Sequence, residues 1–335
     1  MKVPFEPEWR EKYFRLLDRV FDSGFMSEGF AVREFEERFG ASVGLEAAAF
    51  CNWGVAALAV LDHFGVRGFE VVVPTNTFMA DARAVEKAGA VPVFCDCGRD
   101  DLCLSLEDLR RRVTPRTRAV ILTHIGGHLA FRIKEIAGFC RQRGLALIED
   151  CAHCHGASWD GRAGGSFGDA GIYSFYATKT MPLGEGGMVV TRDRGLLEYV
   201  RKYRNYGKFE YVVPGINGRM NEVTAALGLV QLERLPSILE FKRALAAKYD
   251  AIFPRRVLFP DKMSSGYYKY IVFDEPGLKE ETGKVFGELC HELTKAGGSY
   301  PDAEWVREHH RCPPIYYGYE AAHETPAELK ARLLP

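Results

Sequence analysis

The chain has 335 residues, 47% of them hydrophobic and 27% charged, a balance that belongs to folded globular proteins and excludes a disordered or fibrous chain. Its formal net charge of -1 gives no reason to expect nucleic acid as a partner. No run of about 18 apolar residues exists to span a bilayer. Met1-Lys2-Val3-Pro4-Phe5-Glu6-Pro7 lacks the apolar core of a secretion signal, and the nine cysteines form an odd, scattered set from Cys51 to Cys312. Both features point to a cytoplasmic protein with reduced thiols.

The length fits a large domain followed by a smaller one, placed here at 1–235 and 236–335. From about residue 52 to 192, apolar runs alternate with amphipathic stretches in the order of a parallel sheet with crossover helices, an α/β fold. Asn52-Trp53-Gly54-Val55-Ala56 opens a helix with Gly54 at its start, where free N–H groups and the helix dipole favour an anion. A strand over 70–74 leads into a helix over 78–88. At their junction Phe78 serves either as a stacking platform for a ring or as a core residue. A strand over 91–96, a helix over 106–112, a strand over 118–124, a helix over 133–143 and a strand over 145–150 follow. Ligands on open α/β sheets sit beyond the carboxyl ends of the strands, which makes Thr75, Asp96, His124 and Asp150 candidates by position.

Asp150 ends the apolar run 145–148 and precedes Cys151-Ala152-His153-Cys154-His155-Gly156. A buried carboxylate there either keeps a heterocyclic nitrogen protonated or caps the next helix. The same segment matches C-x-x-C-H, a haem-attachment pattern, and its Cys and His residues also raise zinc. Neither reading has its usual context, since no exported chain and no second ligand pair is present, so no metal is expected. Further on, Gly171-Ile172-Tyr173-Ser174-Phe175-Tyr176-Ala177-Thr178-Lys179 delivers a hydroxyl and then one lysine after a strand-like run, and Gly184-Glu185-Gly186-Gly187 turns the chain into the next strand. A partly desolvated lysine in that setting becomes a nucleophilic amine near neutral pH, as imine chemistry with an aldehyde cofactor requires. Past residue 219 the period becomes helical, giving a helix over 220–235 and a second one from Pro236 to about 253. The stretch 298–314 has no clear period and reads as loop.

These segments together resemble the DegT/DnrJ/EryC1/StrS family of sugar aminotransferases. The resemblance covers about residues 20–250. It runs through P-T-x-T-F-x-A (74–80), E-D-x-A-H-x-x-G (149–156), G-S-x-G-D (165–169), S-F-x-x-T-K (174–179), G-E-G-G (184–187), G-x-N-x-R-M-N-E (215–222) and A-A-L-G-L-V-Q-L (225–232). It implies the type I fold of pyridoxal-phosphate enzymes, with a mostly parallel central sheet and a smaller C-terminal α+β domain. It also implies transfer of an amino group from glutamate or glutamine to a nucleotide-linked keto sugar, in a homodimer with shared active sites.

By this resemblance Lys179 bonds the cofactor and moves a proton, Asp150 pairs with its pyridine nitrogen, Phe78 stacks on its ring and His153 meets its phenolic oxygen. Ser174 and the Gly54–Val55 backbone bind the phosphate, Asn217 reaches the phosphate of the neighbouring subunit, and Arg219 and Glu185 face the substrate. Three departures stand out. Val55 replaces a threonine and its hydroxyl. Gly218 replaces an aromatic between Asn217 and Arg219, which implies a more open substrate side. The region 266–335 matches poorly, and the chain ends short of the family's usual C-terminus. A sugar dehydratase of the same fold would carry His where Lys179 stands, and a non-catalytic cofactor-binding regulator would not need Asp150, Ser174 and Lys179 together.

Overall fold

Apolar β-branched runs form the centre of the molecule, and amphipathic helices cover them. The computed structural model describes residues 4–335. Helices α1 (Pro7–Ser23) and α2 (Phe30–Val43) lead into β1 (Glu46–Phe50), α3 (Trp53–His63), β2 (Glu70–Pro74), α4 (Ala80–Lys87), β3 (Val91–Cys95), α5 (Leu106–Arg112), β4 (Thr117–Thr123), α6 (Ile133–Arg143) and β5 (Ala146–Asp150). Two short strands, β6 (Ser158–Trp159) and β7 (Arg162–Ala163), precede β8 (Ala170–Ser174), β9 (Gly187–Thr191) and α7 (Arg194–Tyr203). The central sheet has seven strands in the order β1-β9-β8-β5-β4-β2-β3. Five neighbours from β8 to β3 run parallel and β9 is antiparallel to both β1 and β8, so the sheet is mostly parallel as expected. The crossovers bring the carboxyl ends of β2, β4, β5 and β8 to one edge, where Asp150 pairs with Ile172 and Thr123.

After the sheet, α8 (Glu222–Asp250) runs unbroken for 29 residues and contains Pro236. This corrects the expectation of two helices divided at that proline. A proline inside a helix removes one hydrogen bond and crowds the preceding turn, at a cost of about 3 kcal/mol. Here Leu229, Val230 and Arg234 before it and Ile238, Leu239 and Leu245 after it are all buried. Burial of two or three such apolar side chains, at roughly 1.5–3 kcal/mol each, outweighs that cost. The remaining elements are β10 (Met263–Ser264), β11 (Val272–Phe273), α9 (Cys290–Leu293), α10 (Pro301–His309), β12 (His310–Arg311) and α11 (Pro326–Leu333). A second, smaller apolar cluster gathers Leu245 and Tyr249 of α8 and Phe253 just past its end with Tyr270, Ile315, Leu329 and Leu333.

Helix α10 corrects the loop expected over 298–314. Its first turn is capped by Asp96, whose carboxylate accepts from the Asp302 and Ala303 amides at 3.1 and 2.8 Å. The capping group lies some two hundred residues away in sequence, so no local signal announces the helix. Among the described residues no helix is long and apolar enough to cross a membrane.

One carboxylate ties the two halves of the chain together. Glu222, at the start of α8 and fully buried, accepts hydrogen bonds from Gly29, Ala31 and Val32 at 2.8 to 3.1 Å, so it caps the N-terminus of α2. A Cβ at Gly29 would lie 2.6 Å from Glu222 Oε2, which explains why the N-cap residue is glycine. Glu222→Ala should lower stability by about 3 kcal/mol or more, because three buried amides lose a charged acceptor. Urea unfolding followed by circular dichroism measures this; an unchanged midpoint would mean that the amides find other partners.

Candidate active site

Side chains alternate across a strand, so the last two residues of β5 face opposite ways. Glu149 turns into the core and Asp150 toward the sheet edge. Asp150 Oδ1 accepts from the Trp53 indole Nε1 at 2.9 Å and from the Ala152 amide at 3.0 Å, while Oδ2 has no donor among the described residues. Burial pushes the Asp150 carboxyl above the ordinary aspartate range, and the Ala152 amide, Lys179 and the Trp53 indole pull it back. Beside it Asp81, also buried, is pushed well above that range by burial and by the Asp150 charge, while the Thr77 and Thr123 hydroxyls bond its Oδ2.

Lys179 stands five residues past Ser174, which ends β8, in a turn closed by the Lys179 N–H to Tyr176 carbonyl bond of 2.9 Å. Burial lowers the Lys179 ammonium to about 8, although Asp150 and Asp81 pull the other way and Lys269 adds to the fall. Its Nζ lies 5.0 Å from the centre of the Tyr268 ring. On the same ring His153 stacks at 4.0 Å between centroids and 15° between planes. Burial first, and then the Lys179 and Lys269 charges, hold His153 well below the usual histidine range, so its imidazole is neutral.

The structure thus brings Asp150, His153, Ser174 and Lys179 to one edge. Phe78 is 79% exposed at the start of α4, so the core reading for it fails and its ring face is free for a ligand. At the start of α3 the Asn52 side chain accepts from the Val55 amide at 2.9 Å, which leaves the Gly54 amide as the available donor of that pair. Asn217 is exposed, and Arg219 bonds the Asn205 side chain in a loop stitched to the end of α7. Among the described residues no hydrogen bond or ion pair joins either one to Lys179. Glu185 is exposed and close enough to Cys51 to help raise that thiol above its ordinary range, after burial has done most of it. Gly218 corrects the expected opening of the substrate side. It is buried, and a Cβ there would lie 2.7 Å from Val55 Cγ1 and 3.2 Å from Phe50. The space an aromatic would need is already filled.

Position at a strand end selected too many candidates. Thr75 bonds His291 Nδ1 at 2.6 Å, Asp96 caps α10, and His124 bonds Glu149 Oε2 at 2.7 Å. Only Asp150 of the four faces Lys179. In the C-x-x-C-H segment Cys151 and Cys154 lie together beside Gly164, His155 packs against Tyr173 and Phe175, and His153 between the cysteines stacks on Tyr268. The nine cysteines are free thiols. Cys151 does lie near His124 and Glu149, but every Glu149 oxygen already has two donors, from His124 and the Gly165, Phe167 and Gly168 amides. Trp53, Asp81 and Tyr268 were not foreseen. Trp53 had a signal, an indole N–H at the first turn of a buried helix one residue before Gly54.

This arrangement fits pyridoxal phosphate. The free Oδ2 of Asp150 suits a protonated ring nitrogen, the exposed face of Phe78 suits the ring, Lys179 suits the aldehyde carbon, and Ser174 with the Gly54 amide suits the phosphate. The sequence matches the profile of the DegT/DnrJ/EryC1/StrS aminotransferase family over residues 7–306. The chain belongs to this family. It is 34% identical to the GDP-perosamine synthase of Vibrio cholerae over 73% of this chain and 69% of that one. To the dTDP-4-dehydro-2,3,6-trideoxy-D-glucose 4-aminotransferase of Saccharopolyspora spinosa it is 36% identical, over 79% and 76%. The solved aminotransferase TlmJ from Streptoalloteichus hindustanus superposes with a TM-score of 0.89 at 29% identity, over 98% of this chain and 96% of that one. The aminotransferase fold therefore takes in 266–335, which the motifs had left unmatched.

Two outcomes follow for this aminotransferase. A lysine with its ammonium near 8 is protonated below that pH and a free amine above it. Labelling of Lys179 by an amine-specific reagent should rise tenfold per pH unit up to about 8 and then level off, whereas exposed lysines keep rising toward about 10.4. Peptide mapping of the labelled apoprotein reads the midpoint, and one above 10 would place the amine in water. Trp53→Phe keeps the ring and removes the N–H to Asp150, a charged hydrogen bond of about 1.5–3 kcal/mol. Cofactor affinity should fall about tenfold by equilibrium dialysis; an unchanged dissociation constant would reduce Trp53 to a space-filling role.

Proposed function

We propose that this aminotransferase uses pyridoxal phosphate to move an amino group from glutamate or glutamine to a nucleotide-linked keto sugar, in the cytoplasm, as part of amino-sugar biosynthesis. The observation that carries the reading is the pairing of Lys179, a buried amine lowered to about 8, with Asp150, a buried carboxylate with one oxygen left free. Support comes from the relatives' names, of which one is the synthase of a GDP-linked sugar and another the 4-aminotransferase of a dTDP-linked 4-dehydro sugar. Lys179 also argues against the dehydratase alternative, which carries His at that position.

Pyridoxal phosphate supplies an electron sink for a carbanion next to nitrogen. The chain's residues do the rest. Asp150 Oδ2 holds the proton on the ring nitrogen, which is the electrostatic condition for the sink. Lys179 Nζ would first hold the cofactor and, once displaced by the donor amine, would take the proton from the donor's α-carbon and return it at the cofactor's former aldehyde carbon, across the shared nitrogen. His153, neutral and fixed against Tyr268, faces the phenolic oxygen. Phe78 covers one face of the ring, and Ser174 and Gly54 bind the phosphate. In this reading residues 1–235 hold the cofactor and 236–335 close over the substrate.

The site is proposed to be completed by a second copy of the chain. Phe25, Met26, Phe209, Tyr211 and Val212 are at least half exposed. The two segments that carry them are joined by the Glu222 amide to Met26 carbonyl bond, the Ser27–Asn221 bridge and the Asn205 to Glu28 bond. An apolar patch of this kind calls for a partner surface. It borders the loop of Asn217 and Arg219, which have no link to Lys179 of their own chain and so are assigned to the neighbour's phosphate and substrate, with Glu185 at the substrate side.

Complementation tests the assembly and the chemistry together. Lys179→Ala and the double variant Asn217→Ala, Arg219→Ala should each be inactive in amino transfer. After subunit exchange a mixed dimer carries one intact site and one with all lesions, so activity should return to a fraction of the wild type. No recovery despite demonstrated exchange, or a fully active monomer in sedimentation, would assign the loop to its own chain.

A further inference from the structure

The helix turn that exposes the Phe78 ring also carries a buried carboxyl. Asp81 lies in the first turn of α4, its amide closing on the Phe78 carbonyl at 3.2 Å, and is 1% exposed. Its Oδ2 accepts from the Thr77 hydroxyl at 2.5 Å and from the Thr123 hydroxyl at 3.0 Å. Its Oδ1 is buried and has no partner among the described residues. Thr123 closes β4 and pairs with Asp150 at the end of β5. Residues at one level of adjacent strands project to the same face, so the hydroxyl that holds Asp81 stands beside the Asp150 carboxyl. Two carboxyls thus reach the ring end of the cofactor site, one from the sheet and one from a helix.

Buried carboxyls that feel each other's charge do not ionise independently, and at neutral pH such a pair retains a proton. The surrounding donors decide which member keeps it. Asp150 faces the Ala152 amide, the Lys179 ammonium and the Trp53 indole, all of which favour its charge. Asp81 has two hydroxyls on one oxygen and no donor on the other, and a bare buried carboxylate oxygen costs more than a neutral acid. The proton therefore belongs on Asp81 Oδ1. Burial and then the Asp150 charge push the Asp81 carboxyl well above the ordinary aspartate range, while the two hydroxyls and Lys179 pull it back. Cys290, at the start of α9, also faces Asp81; burial and the Asp81 charge push its thiol up to about 12, so it stays neutral.

We propose that Asp81 is a positioning residue for the cofactor, a second counter-charge to the ring nitrogen that is held in reserve as a neutral acid and tightens the hold on the protonated ring when it ionises. The inference rests on the assignment of Asp150 to the ring nitrogen and goes beyond it. With Asp81 neutral, the pair opposes one negative charge to the one positive charge of the ring. Once Oδ1 has given its proton to solvent, the pair opposes two. Cofactor binding should therefore strengthen as pH rises through the ionisation of Asp81. By the same coupling the bound cofactor lowers the pH at which Asp81 ionises.

The test uses the holoenzyme in its aminated form, where pyridoxamine phosphate is held without a bond to Lys179. Its dissociation constant is measured by equilibrium dialysis from about pH 6 to pH 9 in the wild type and in Asp81→Asn. The asparagine oxygen can take both threonine hydroxyls, and its NH2 stands where the acid O–H stood, so the variant imitates the neutral acid at every pH. Lys179 titrates in both proteins and cancels in their ratio. The variant's constant divided by that of the wild type should rise about tenfold or more over this range, the effect of one pH unit of coupling. A flat ratio overturns the proposal and leaves Asp81 a structural anchor. Infrared spectra give an independent reading. The carbonyl band of a protonated carboxylic acid should be present in the wild type at about pH 6, fade over the same pH window and be absent from Asp81→Asn. In Asp150→Asn, which removes the neighbouring charge, the band should fade about one pH unit lower. An unshifted band overturns the proposal even if Asp81→Asn fails to fold. Asp150→Asn should also weaken pyridoxamine phosphate binding throughout. If it does not, the assignment of Asp150 fails by itself, while the infrared titration still decides which carboxyl holds the proton.

Discussion

The catalytic edge depends on a carboxylate that takes no part in the chemistry. Glu149, fully buried one residue before Asp150, gathers His124 and the amides of Gly165, Phe167 and Gly168 around its two oxygens. Burial alone would raise its pKa, yet the His124 contact and these amides hold it below the ordinary range, so it stays ionised in the core. The Ala130 amide donates to His124 Nδ1, which fixes the histidine proton on Nε2 and aims it at Glu149. One anion thereby locks the end of β5 to the end of β4 and to the loop entering β8. Since side chains alternate along a strand, anchoring Glu149 inward leaves Asp150 facing out. Register then carries the order to the other reacting group, because β8 pairs with β5 up to Asp150–Ile172 and Ser174 and Lys179 follow at once.

A second buried carboxylate does for the periphery what Glu149 does for the centre. Glu222 caps α2 from the start of α8, and α8 then continues through Pro236 to bring Lys242 to the Thr180 hydroxyl and Leu245 to the smaller core. The loop of Asn217 and Arg219 ends at this cap, so the residues assigned to a neighbouring subunit are held at a fixed point. Both anchors are carboxylates that accept from three backbone amides. Such charge-assisted bonds are worth more than neutral ones and lose more when one partner is removed.

What could be read from the sequence follows from the range of the interaction that encodes it. Strands 70–74 and 145–150 are written in consecutive apolar residues, and they appear within a residue of where the pattern puts them. Lys179, Asp150 and Ser174 are legible because they sit at fixed offsets from such runs. Helix α10 was not legible, since its cap is Asp96 on a different strand end. Pro236 misled because the local rule against proline in a helix says nothing about the buried neighbours that override it. Thr75, Asp96 and His124 obeyed the strand-end rule and yet serve the scaffold; the rule locates an edge without saying which way each side chain is used. Trp53 and Tyr268 were missed because each acts through a partner about a hundred residues away, Asp150 for the one and His153 for the other.

The departures from the family pattern also look different once the packing is known. Read singly, Val55 loses a phosphate contact and Gly218 opens the pocket. In the structure they are one adjustment: Val55 Cγ1 occupies the space where a side chain at 218 would begin. A larger residue at 218 is therefore incompatible with valine at 55 unless one of them moves, and the missing hydroxyl is a matter of local packing before it is a matter of phosphate binding. Asn52 completes the adjustment by taking the Val55 amide. The phosphate end of the proposed cofactor site is thus left with the Gly54 amide and the Ser174 hydroxyl, while at the ring end the Trp53 indole fixes the carboxylate proposed to meet the ring nitrogen.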